Sequence, residues 1–278
     1  MYLRPRTVRE AVEALAAPGV RILAGGTDFY PALGERKASE PVLDITAVAE
    51  LRGIEIGPER IRIGAAATWT DIIRAPLPRA FDALKAAARE VGSVQIQNRA
   101  TVAGNLCNAS PAADGVPPLL ALDAEVELLS ARGERRIPLA SFITGNRKTV
   151  REPGEIATAI LVPRTIDGPS AFLKLGARRY LVISIAMVAA ILEPDSAGRV
   201  GQARVAVGSC SPVARRLTQL ERDLVGADLD AVGVRVEPRH LDVLSPIDDL
   251  RGTAAYRRDA ARTLVARALE AAARGCVQ

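Results

Sequence analysis

The spacing of apolar residues predicts alternating helices and short strands over the first 91 residues. Apolar positions 8, 12 and 15 recur at helical spacing behind the capping-box pair Thr7 and Glu10, and Pro18-Gly19 ends this helix. A short apolar strand then runs into a glycine turn, after which Asp28 is placed to cap a second helix. The predicted elements are helices beginning at residues 8, 29, 68 and 79 and strands over residues 20–23, 41–45, 53–56 and 60–64.

The pattern changes after residue 91. Residues 92–118 show no periodicity over 27 positions and contain many polar residues, with Gly and Pro, which predicts a long loop. Loops of this length in compact domains are usually functional. Regular apolar spacing returns with strands over residues 124–129 and 155–162, and Arg132-Gly133 predicts a turn between them.

The last hundred or so residues have a different order of elements, and residues 163–169 are the best candidate for a linker before them. The predicted strands cover residues 171–176, 182–192 and 203–208, and the predicted helices cover residues 213–224, 229–236 and 253–273. Strands followed by helices are typical of an α+β domain with helices packed on one face of an antiparallel sheet. We therefore predict two domains, residues 1–167 and residues 168–278.

The composition is that of a globular chain. Hydrophobic residues make up 49% of the 278 positions and charged residues 25%, which are proportions of folded domains. The net charge of +5 would suit a nucleic-acid partner, but the basic residues are scattered. Aromatic residues that could stack on bases are only 3% of the chain. We therefore expect no nucleic-acid binding.

The chain has too few cysteine and histidine residues to predict a disulfide framework or a zinc site. Cys107, Cys210 and Cys276 are far apart and form no CxxC pair, so neither a disulfide framework nor a zinc site is predicted. We predict Cys107 to be a small packing residue and His240, the single histidine, to lie at the surface. The chain shows no signal peptide, and its longest uncharged run of 13 residues is too short to cross a bilayer. A cytoplasmic protein is expected.

Two glycine-containing segments carry the candidate chemistry: residues 22–29, which read ILAGGTDF, and residues 101–114, which read TVAGNLCNASPAAD. Glycine reaches positive φ and lets a ligand approach the main chain, so each segment can present backbone N–H groups to an anion. The helix predicted after Asp28 directs its N-terminus to the same place. Side-chain donors are added by Thr27, Thr101, Asn105 and Ser110. A pyrophosphate fits this set of donors.

The residues alone leave a second interpretation open. A Gly-Gly turn after a strand is often a purely structural turn. Neither segment matches the GxGxxG pattern or the P-loop pattern, so Rossmann and nucleoside-triphosphatase functions lose their usual support.

Taken together, the two segments resemble the pair of FAD-pyrophosphate motifs in the medium subunit of molybdenum hydroxylases. That family includes carbon monoxide dehydrogenase, bacterial xanthine dehydrogenase and hydroxybenzoyl-CoA reductase. Residues 119–126, residues 172–179 and residues 248–258 also look like the family, in the same order along the chain. The resemblance implies an α+β fold. A vanillyl-alcohol-oxidase-type FAD-binding domain of two α/β subdomains would precede a C-terminal domain with a three-stranded antiparallel sheet and helices.

The resemblance also implies which residues contact FAD. In the first segment, the residues expected to wrap the pyrophosphate and ribose are Ile22, Leu23, Ala24, Gly25, Gly26, Thr27, Asp28 and Phe29. In the second segment, the residues expected to contact the pyrophosphate from the other side are Thr101, Val102, Ala103, Gly104 and Asn105, with Ser110 as a further donor. We expect Gly104 to have positive φ and Val91 to lie against the cofactor.

Three further positions carry over from the family. Asp114 is expected to hold a polar group of FAD, and the main chain at Ala157 is expected to lie near the flavin. Lys174 is expected to reach the polar edge of the flavin, where a cation would stabilise charge on the reduced ring; the alternative is an exposed strand residue. Tyr180 departs from the pattern of many relatives, and either shields the flavin ring or is a plain strand-edge tyrosine.

The function implied by the resemblance is electron transfer within a heteromeric molybdenum hydroxylase. A large molybdopterin subunit would oxidise the organic substrate, and a small 2Fe–2S subunit would pass electrons to FAD in this chain and on to an external acceptor. The complex would pair into a dimer of heterotrimers. Three scattered cysteines predict no iron–sulfur cluster in this chain. The alternatives are a free-standing FAD-dependent oxidase or dehydrogenase and a non-catalytic nucleotide-binding scaffold.

Overall fold

A three-stranded parallel sheet organises the N-terminal part of the computed structural model, which describes residues 1–276. The strand order is β1-β3-β2. The elements are β1 Tyr2–Leu3, α1 Val8–Leu15, β2 Arg21–Leu23, α2 Phe29–Leu33 and β3 Val42–Asp44. The predicted cap of α1 is confirmed, because Thr7 Oγ1 accepts a hydrogen bond from the Glu10 N–H. The predicted cap of α2 is wrong: Asp28 has a helical backbone, and its side chain makes no capping hydrogen bond.

A five-stranded antiparallel sheet with helices packed on it forms the next part of the chain. The strand order is β4-β5-β10-β6-β7. Its elements are β4 Ile54–Ile56, β5 Arg60–Gly64, α3 Trp69–Arg74, α4 Asp82–Glu90, α5 Val94–Gln97, α6 Val102–Asn108, α7 Val116–Ala121, β6 Glu125–Ser130, β7 Gly133–Pro138, α8 Leu139–Phe142, β8 Ile143–Gly145, β9 Lys148–Thr149 and β10 Ile156–Pro163. Trp69, Phe81 and Phe142 are the largest fully buried side chains in this region.

Two features of this part differ from the sequence predictions. The predicted loop over residues 92–118 contains the helices α5 and α6 and the start of α7, which are four, seven and six residues long. Helices of two turns or fewer are too short to show a helical period in the sequence. The edge strand β7 was not predicted, because four of its six residues are exposed and its sequence GERRIP carries three charges.

The C-terminal part is a four-stranded antiparallel sheet of order β11-β12-β13-β14 with helices against it. The elements are β11 Ser170–Leu175, β12 Ala186–Pro194, β13 Val200–Gly208, β14 Arg215–Arg216, α9 Thr218–Leu224 and α10 Ala254–Cys276. The sheet has one more strand than predicted, because the two residues of β14 pair with β13. The helix predicted over residues 213–224 is therefore shorter and begins at Thr218. The helix predicted over 229–236 is only a 3₁₀ turn at Leu229–Ala231, and β12 begins later than predicted.

The strand β12 joins two hydrophobic cores, because its side chains alternate between the two faces of the sheet. Met187 and Ile191 pack into the core of the N-terminal parts. Val188 and Leu192 pack into a second core formed with α9 and α10. The helix α7 also packs on β12 and β13. The two parts of the chain therefore share a core across their junction, and residues 164–169 are not their only connection.

The predicted domain boundary lies in the segment that connects β10 to β11, and it stays a prediction. Val277 and Gln278, the end of the predicted second domain, lie outside the described residues. Within residues 1–276, no helix is both long enough and apolar enough to span a membrane.

His240 is buried, so the prediction of a surface histidine is wrong. The residue is only 2% exposed. Nδ1 accepts a hydrogen bond from the Glu237 N–H at 3.0 Å, and Nε2 lies 3.0 Å from Asp223 Oδ2. These two contacts hold the 3₁₀ turn at Pro238–Leu241 against α9. The role of the ring is therefore structural.

Candidate functional site

A cleft of about 550 Å³ lies between the two glycine segments. The strand β2 with its following turn forms one wall, α6 forms another, and the beginning of β10 contributes a third. Thirteen of the 18 predicted site residues line it: Ile22, Ala24, Gly25, Gly26, Thr27, Asp28, Phe29, Val91, Thr101, Ala103, Gly104, Asn105 and Ala157. The fold therefore brings together two segments that are more than 70 positions apart in the chain.

The turn after β2 requires glycine at two positions. A Cβ on Gly25 would lie 1.9 Å from the Arg99 carbonyl oxygen, so the main chains of the two segments touch there. Gly26 has a φ of +80°, and a Cβ on it would lie 2.8 Å from the Tyr30 ring. Both glycines also line the cleft, so main-chain atoms of the turn are accessible to a ligand there.

The second glycine segment is the N-terminal half of α6. Thr101 caps this helix, since its Oγ1 accepts a hydrogen bond from the Gly104 N–H at 3.0 Å. Gly104 does not have the expected positive φ, because it lies inside α6 with helical backbone geometry. The nearest atom to a Cβ on Gly104 would be Thr101 Oγ1 at 2.7 Å, and the next lies at 3.9 Å. This face of α6 is therefore bare toward the cleft.

Two residues on the cleft wall have buried polar atoms that find no hydrogen-bond partner within residues 1–276. They are the acceptor Asn105 Oδ1 and the donor Trp69 Nε1. Leaving a buried polar group unpaired costs roughly 1–3 kcal/mol, so folded proteins almost always pair such groups. Both atoms are sealed from the open cleft, so a ligand reaches them only if the cleft wall moves.

Five predicted site residues do not line this cleft. Leu23 and Val102 are buried in the protein interior, because their side chains point away from the cleft on their elements. Ser110 Oγ accepts a hydrogen bond from the Ala112 N–H at 3.3 Å in the turn after α6. Asp114 and Lys174 contact each other nearby.

Asp114 and Lys174 form a buried ion pair where the two parts of the chain meet. Lys174 Nζ lies 2.7 Å from Asp114 Oδ2, and the two side chains are 6% and 9% exposed. The same Nζ lies 3.4 Å from the carbonyl oxygen of Glu90, next to the cleft residue Val91. Burial raises the pKa of Asp114, and the Lys174 cation opposes that rise. The alternative that Lys174 is an exposed strand residue is therefore wrong.

Twelve residues of the cleft wall were not predicted from the sequence. They are Val20, Arg21, Ala32, Ile45, Ala65, Trp69, Ile96, Ala100, Cys107, Asn108, Arg151 and Ile156. Arg21 adjoins the first predicted segment, and Cys107 and Asn108 lie inside the second, so position alone could have indicated them. Arg151 follows β9 and has no local signal; its Nη1 donates to the Glu155 carbonyl oxygen at 2.9 Å. Burial raises the pKa of the Cys107 thiol, which disfavours a reactive thiolate and suits the predicted packing role.

A second cavity of about 610 Å³ borders the cleft and shares Ala24, Gly25 and Thr101 with it. Its wall includes Arg74 and Arg99. Space is thus present on both sides of the contact between the glycine turn and the α6 cap.

Tyr180 lies on the loop before β12 and belongs to no strand, so the strand-edge interpretation is wrong. The residue is 59% exposed. The Arg179 guanidinium lies 5.2 Å from the centre of its ring. The ring is accessible at the surface of the protein.

Comparison with known families identifies the cofactor of this chain. The sequence profile described as "FAD binding domain in molybdopterin dehydrogenase" matches residues 1–165, which is more than half of the chain. The chain belongs to this family. A second profile, described as "CO dehydrogenase flavoprotein C-terminal domain", matches residues 171–272. The family resemblance inferred from the sequence is confirmed.

Relatives cover most of the chain. The nicotinate dehydrogenase FAD-subunit of Eubacterium barkeri is 36% identical over 82% of this chain and 80% of its own length. The carbon monoxide dehydrogenase medium chain of Hydrogenophaga pseudoflava is 30% identical over 99% of this chain and 97% of its own. A solved structure of carbon monoxide dehydrogenase from Hydrogenophaga pseudoflava superimposes with a TM-score of 0.89 over 99% of this chain and 97% of that one, at 30% identity. The predicted α+β fold is confirmed.

These findings identify FAD as the cofactor and the chain as a medium subunit of molybdenum hydroxylase-like dehydrogenases, an oxidoreductase component. The cleft fits this cofactor, because Gly25, Gly26 and Gly104 line it, and Thr27, Asn105 and Asn108 add polar side chains to its wall. Within residues 1–276, no group of three or more His, Cys, Asp or Glu side chains is placed to hold a metal ion.

Proposed function

We propose that this chain is the electron-transfer subunit of a heteromeric molybdenum hydroxylase. Electrons would arrive from 2Fe–2S clusters on a partner and leave to an external acceptor. Bound FAD supplies the redox chemistry, because a flavin exchanges electrons both singly and in pairs. The contribution of this chain is to bind the cofactor, orient it and surround it with suitable charges.

The composition of the cleft wall is the observation that carries this proposal. The titratable side chains that line it are Arg21, Asp28, Cys107 and Arg151. The raised pKa of Cys107 disfavours a nucleophile, and the single histidine is engaged in a structural contact elsewhere. A free-standing oxidase needs groups that move protons on its organic substrate. This wall is equipped to hold a cofactor and lacks a general acid–base pair.

We propose the following division of the cleft among the parts of FAD. The turn at residues 24–28 and the capped end of α6 hold the pyrophosphate between them, since both present unobstructed main chain. The flavin lies toward Val91 and Ala157, near the buried pair Asp114 and Lys174. Ile22, Leu23, Phe29, Val102 and Ser110 support these segments, some through the interior of the protein. Residues 1–167 then form the FAD-binding domain, and the C-terminal domain completes its flavin end.

We further propose two partners, a large molybdopterin subunit and a small 2Fe–2S subunit, paired into a dimer of heterotrimers. The support is that relatives are called medium chains or subunits of complexes, such as the 6-hydroxypseudooxynicotine dehydrogenase complex of Paenarthrobacter nicotinovorans. Cys107, Cys210 and Cys276 are also too dispersed to ligate an iron–sulfur cluster. Permanent assemblies of this kind bury on the order of 2,000 Å² or more.

Affinity purification from the native cell, followed by mass spectrometry and metal analysis, tests the proposal. We expect the tagged chain to bring down a large and a small protein, with molybdenum and iron in the complex. The isolated FAD-loaded chain should pass electrons weakly from a nicotinamide donor to a dye and turn over no organic substrate. A lone monomer that oxidises an organic substrate would overturn the subunit function and support the free-standing flavoenzyme.

A further inference from the structure

Ser184 lies at the buried junction between the FAD-binding part and the C-terminal part. Its residue is 2% exposed, and its hydroxyl donates a hydrogen bond of 2.7 Å to Asp114 Oδ1. Lys174 occupies the other oxygen, Oδ2, also at 2.7 Å. The Asp114 carboxylate comes from the loop between α6 and α7, whereas both of its partners come from the C-terminal part. The C-terminal part therefore fixes the orientation of a carboxylate on the FAD-binding part.

The backbone beside Ser184 is held in place by a second buried contact. Arg257 on α10 is 3% exposed, and its Nη1 donates to the Ile185 carbonyl oxygen at 2.7 Å and to the Ser209 carbonyl oxygen at 3.3 Å. Asp249 orients this guanidinium through a 2.6 Å contact with Nη2. These contacts give residues 248–258 a structural role, although the segment does not line the cleft. The segment fixes the chain position from which Ser184 reaches Asp114.

We propose that Ser184 is a positioning residue for the cofactor site, which holds the Asp114 carboxylate against Lys174 and so controls the charge beside the flavin end of the cleft. This inference rests on the proposed placement of Lys174 near the flavin. Lys174 lies beside the cleft wall, since its Nζ is 3.4 Å from the carbonyl oxygen of Glu90, one residue from the cleft residue Val91. As long as Asp114 is ionised, the pair is neutral, and the flavin meets no unbalanced cation.

The charges around Asp114 decide what losing the Ser184 hydroxyl would do. The groups that act on it are Lys174 on β11, Ser184 before β12 and the Glu90 carboxylate at the end of α4. Burial and Glu90 favour the neutral acid, whereas Lys174 and Ser184 favour the carboxylate. Replacing Ser184 by Ala removes one of the two stabilising partners, so the pKa of Asp114 rises further. A protonated Asp114 leaves the Lys174 cation unbalanced, which favours the reduced flavin because that form carries more negative charge.

The test compares Ser184→Ala, Ser184→Thr and Asp114→Asn with the wild-type holoprotein. Flavin midpoint potentials are measured between about pH 5 and about pH 9, a range in which a buried carboxyl can titrate. Ser184→Ala should have a more positive potential than wild type in the pH window between the Asp114 pKa values of the two proteins, and converge with it above and below that window. Asp114→Asn, which cannot ionise, should keep at every pH the raised potential that wild type has only where Asp114 is protonated. Ser184→Thr keeps the hydroxyl and should follow the wild-type profile.

A matched control and a second readout keep the test decisive. Ser211 is another buried serine of the C-terminal part, whose hydroxyl contacts the Cys210 carbonyl oxygen and the Ser245 N–H. Ser211→Ala should leave the profile of flavin potential against pH unchanged.

Infrared spectroscopy of the FAD-free protein provides a second readout. The titration of the Asp114 carboxyl group should move to higher pH in Ser184→Ala. The inference would be overturned if Ser184→Ala kept the wild-type flavin potentials and the wild-type Asp114 titration. It would also be overturned if Ser211→Ala changed the flavin potentials as much as Ser184→Ala does. A further variant separates the two claims. If Lys174→Met has the wild-type flavin potential while the Asp114 titration still moves in Ser184→Ala, Lys174 does not lie near the flavin, but the role of Ser184 toward Asp114 stands.

Discussion

At the scale of single residues, the cleft depends on a position that has no side chain. Gly104 presents bare helix to the cleft, with only Thr101 Oγ1 near the site of a Cβ. Gly104→Val should weaken FAD binding at least tenfold, about 1.4 kcal/mol, because the isopropyl group would occupy cofactor space. Disturbing the Thr101 cap should cost only about 1 kcal/mol of stability. The flavin content of the purified variant and a titration with FAD measure the effect.

The control for this substitution is Gly145→Val on β8. A Cβ there meets nothing closer than the Lys148 side chain at 3.8 Å, and Gly145 does not line the cleft. The control should keep full flavin content. Unchanged FAD affinity in Gly104→Val would show that α6 does not border the cofactor.

The attachment of FAD is also decided by single residues. Covalent flavin links in proteins use side chains such as His or Cys. The single histidine is buried beside Asp223, away from the cleft, and burial disfavours the thiolate of Cys107. We therefore expect one non-covalent FAD per chain. Acid precipitation should release the yellow colour into the supernatant, whereas flavin that stays with the pellet would point to a bond at Cys107.

Predictability from the sequence varied among residues for physical reasons. Gly26 could be identified because its requirement is local, a positive φ in a turn after a strand, whereas the requirement for Gly25 comes from the distant Arg99 main chain. The burial of Lys174 could not be identified, since it depends on Asp114, which lies 60 positions earlier in the chain. His240 was misjudged for the same reason, because its partner Asp223 sits on a separate helix. Ser184 gave no local signal at all.

At the scale of elements, strong local signals located most helices and strands. The Thr7 cap and the glycine turn after β2 predicted their elements correctly, and the helix predicted at residue 68 begins behind a Thr68 capping box. The short helices α5 to α7 were missed, because one or two turns stabilised by tertiary packing leave no period in the sequence. The polar edge strand β7 was missed because backbone hydrogen bonds pair it with β6, and such pairing leaves no pattern of apolar residues in the sequence.

The start of α10 offers a pH-dependent test at this scale. Asp249 accepts hydrogen bonds from the Arg251 N–H at 2.8 Å and from Arg257 Nη2 at 2.6 Å. These contacts, chiefly the backbone hydrogen bond, lower the pKa of Asp249 from 3.8 to about 2. A depressed folded-state pKa adds stability that is complete above the unfolded pKa and is lost as pH falls through the folded pKa. The stabilisation should therefore be constant above about pH 5 and decline between about pH 4 and about pH 2.

Asp249→Asn provides the comparison. Urea denaturation of both proteins should show wild type to be more stable at neutral pH, with a gap that narrows below about pH 4. Arg164→Gln, which removes a surface arginine that contacts the Gly57 carbonyl oxygen, serves as a control and should show no such trend. A gap of constant size down to about pH 3 would contradict the assignment.

At the scale of the whole molecule, the sequence indicated two domains but not how closely they are joined. The candidate linker over residues 163–169 was the only connection that the sequence indicated. The structure instead shares β12 between two cores, with Met187 and Ile191 on one face and Val188 and Leu192 on the other. Asp123 adds a charged contact across the same junction, to Arg204 at 3.1 Å and to Arg216 at 2.6 Å. Such pairings between distant segments cannot be derived from local spacing.

The shared core predicts that the protein unfolds in a single cooperative step and that FAD stabilises both parts together. Trp69, the single tryptophan, lines the cleft and reports on the FAD-binding part by its fluorescence. The 23-residue helix α10 belongs to the other core and contributes strongly to the far-ultraviolet circular dichroism. Thermal transitions followed by the two probes should coincide in the FAD-free protein. Free FAD at 100 times its dissociation constant should then stabilise the folded state by about 2.7 kcal/mol and raise both midpoints equally. Separate transitions, or a shift of the Trp69 signal alone, would show that the two parts unfold independently and that the contacts at β12 and Asp123 do not couple them.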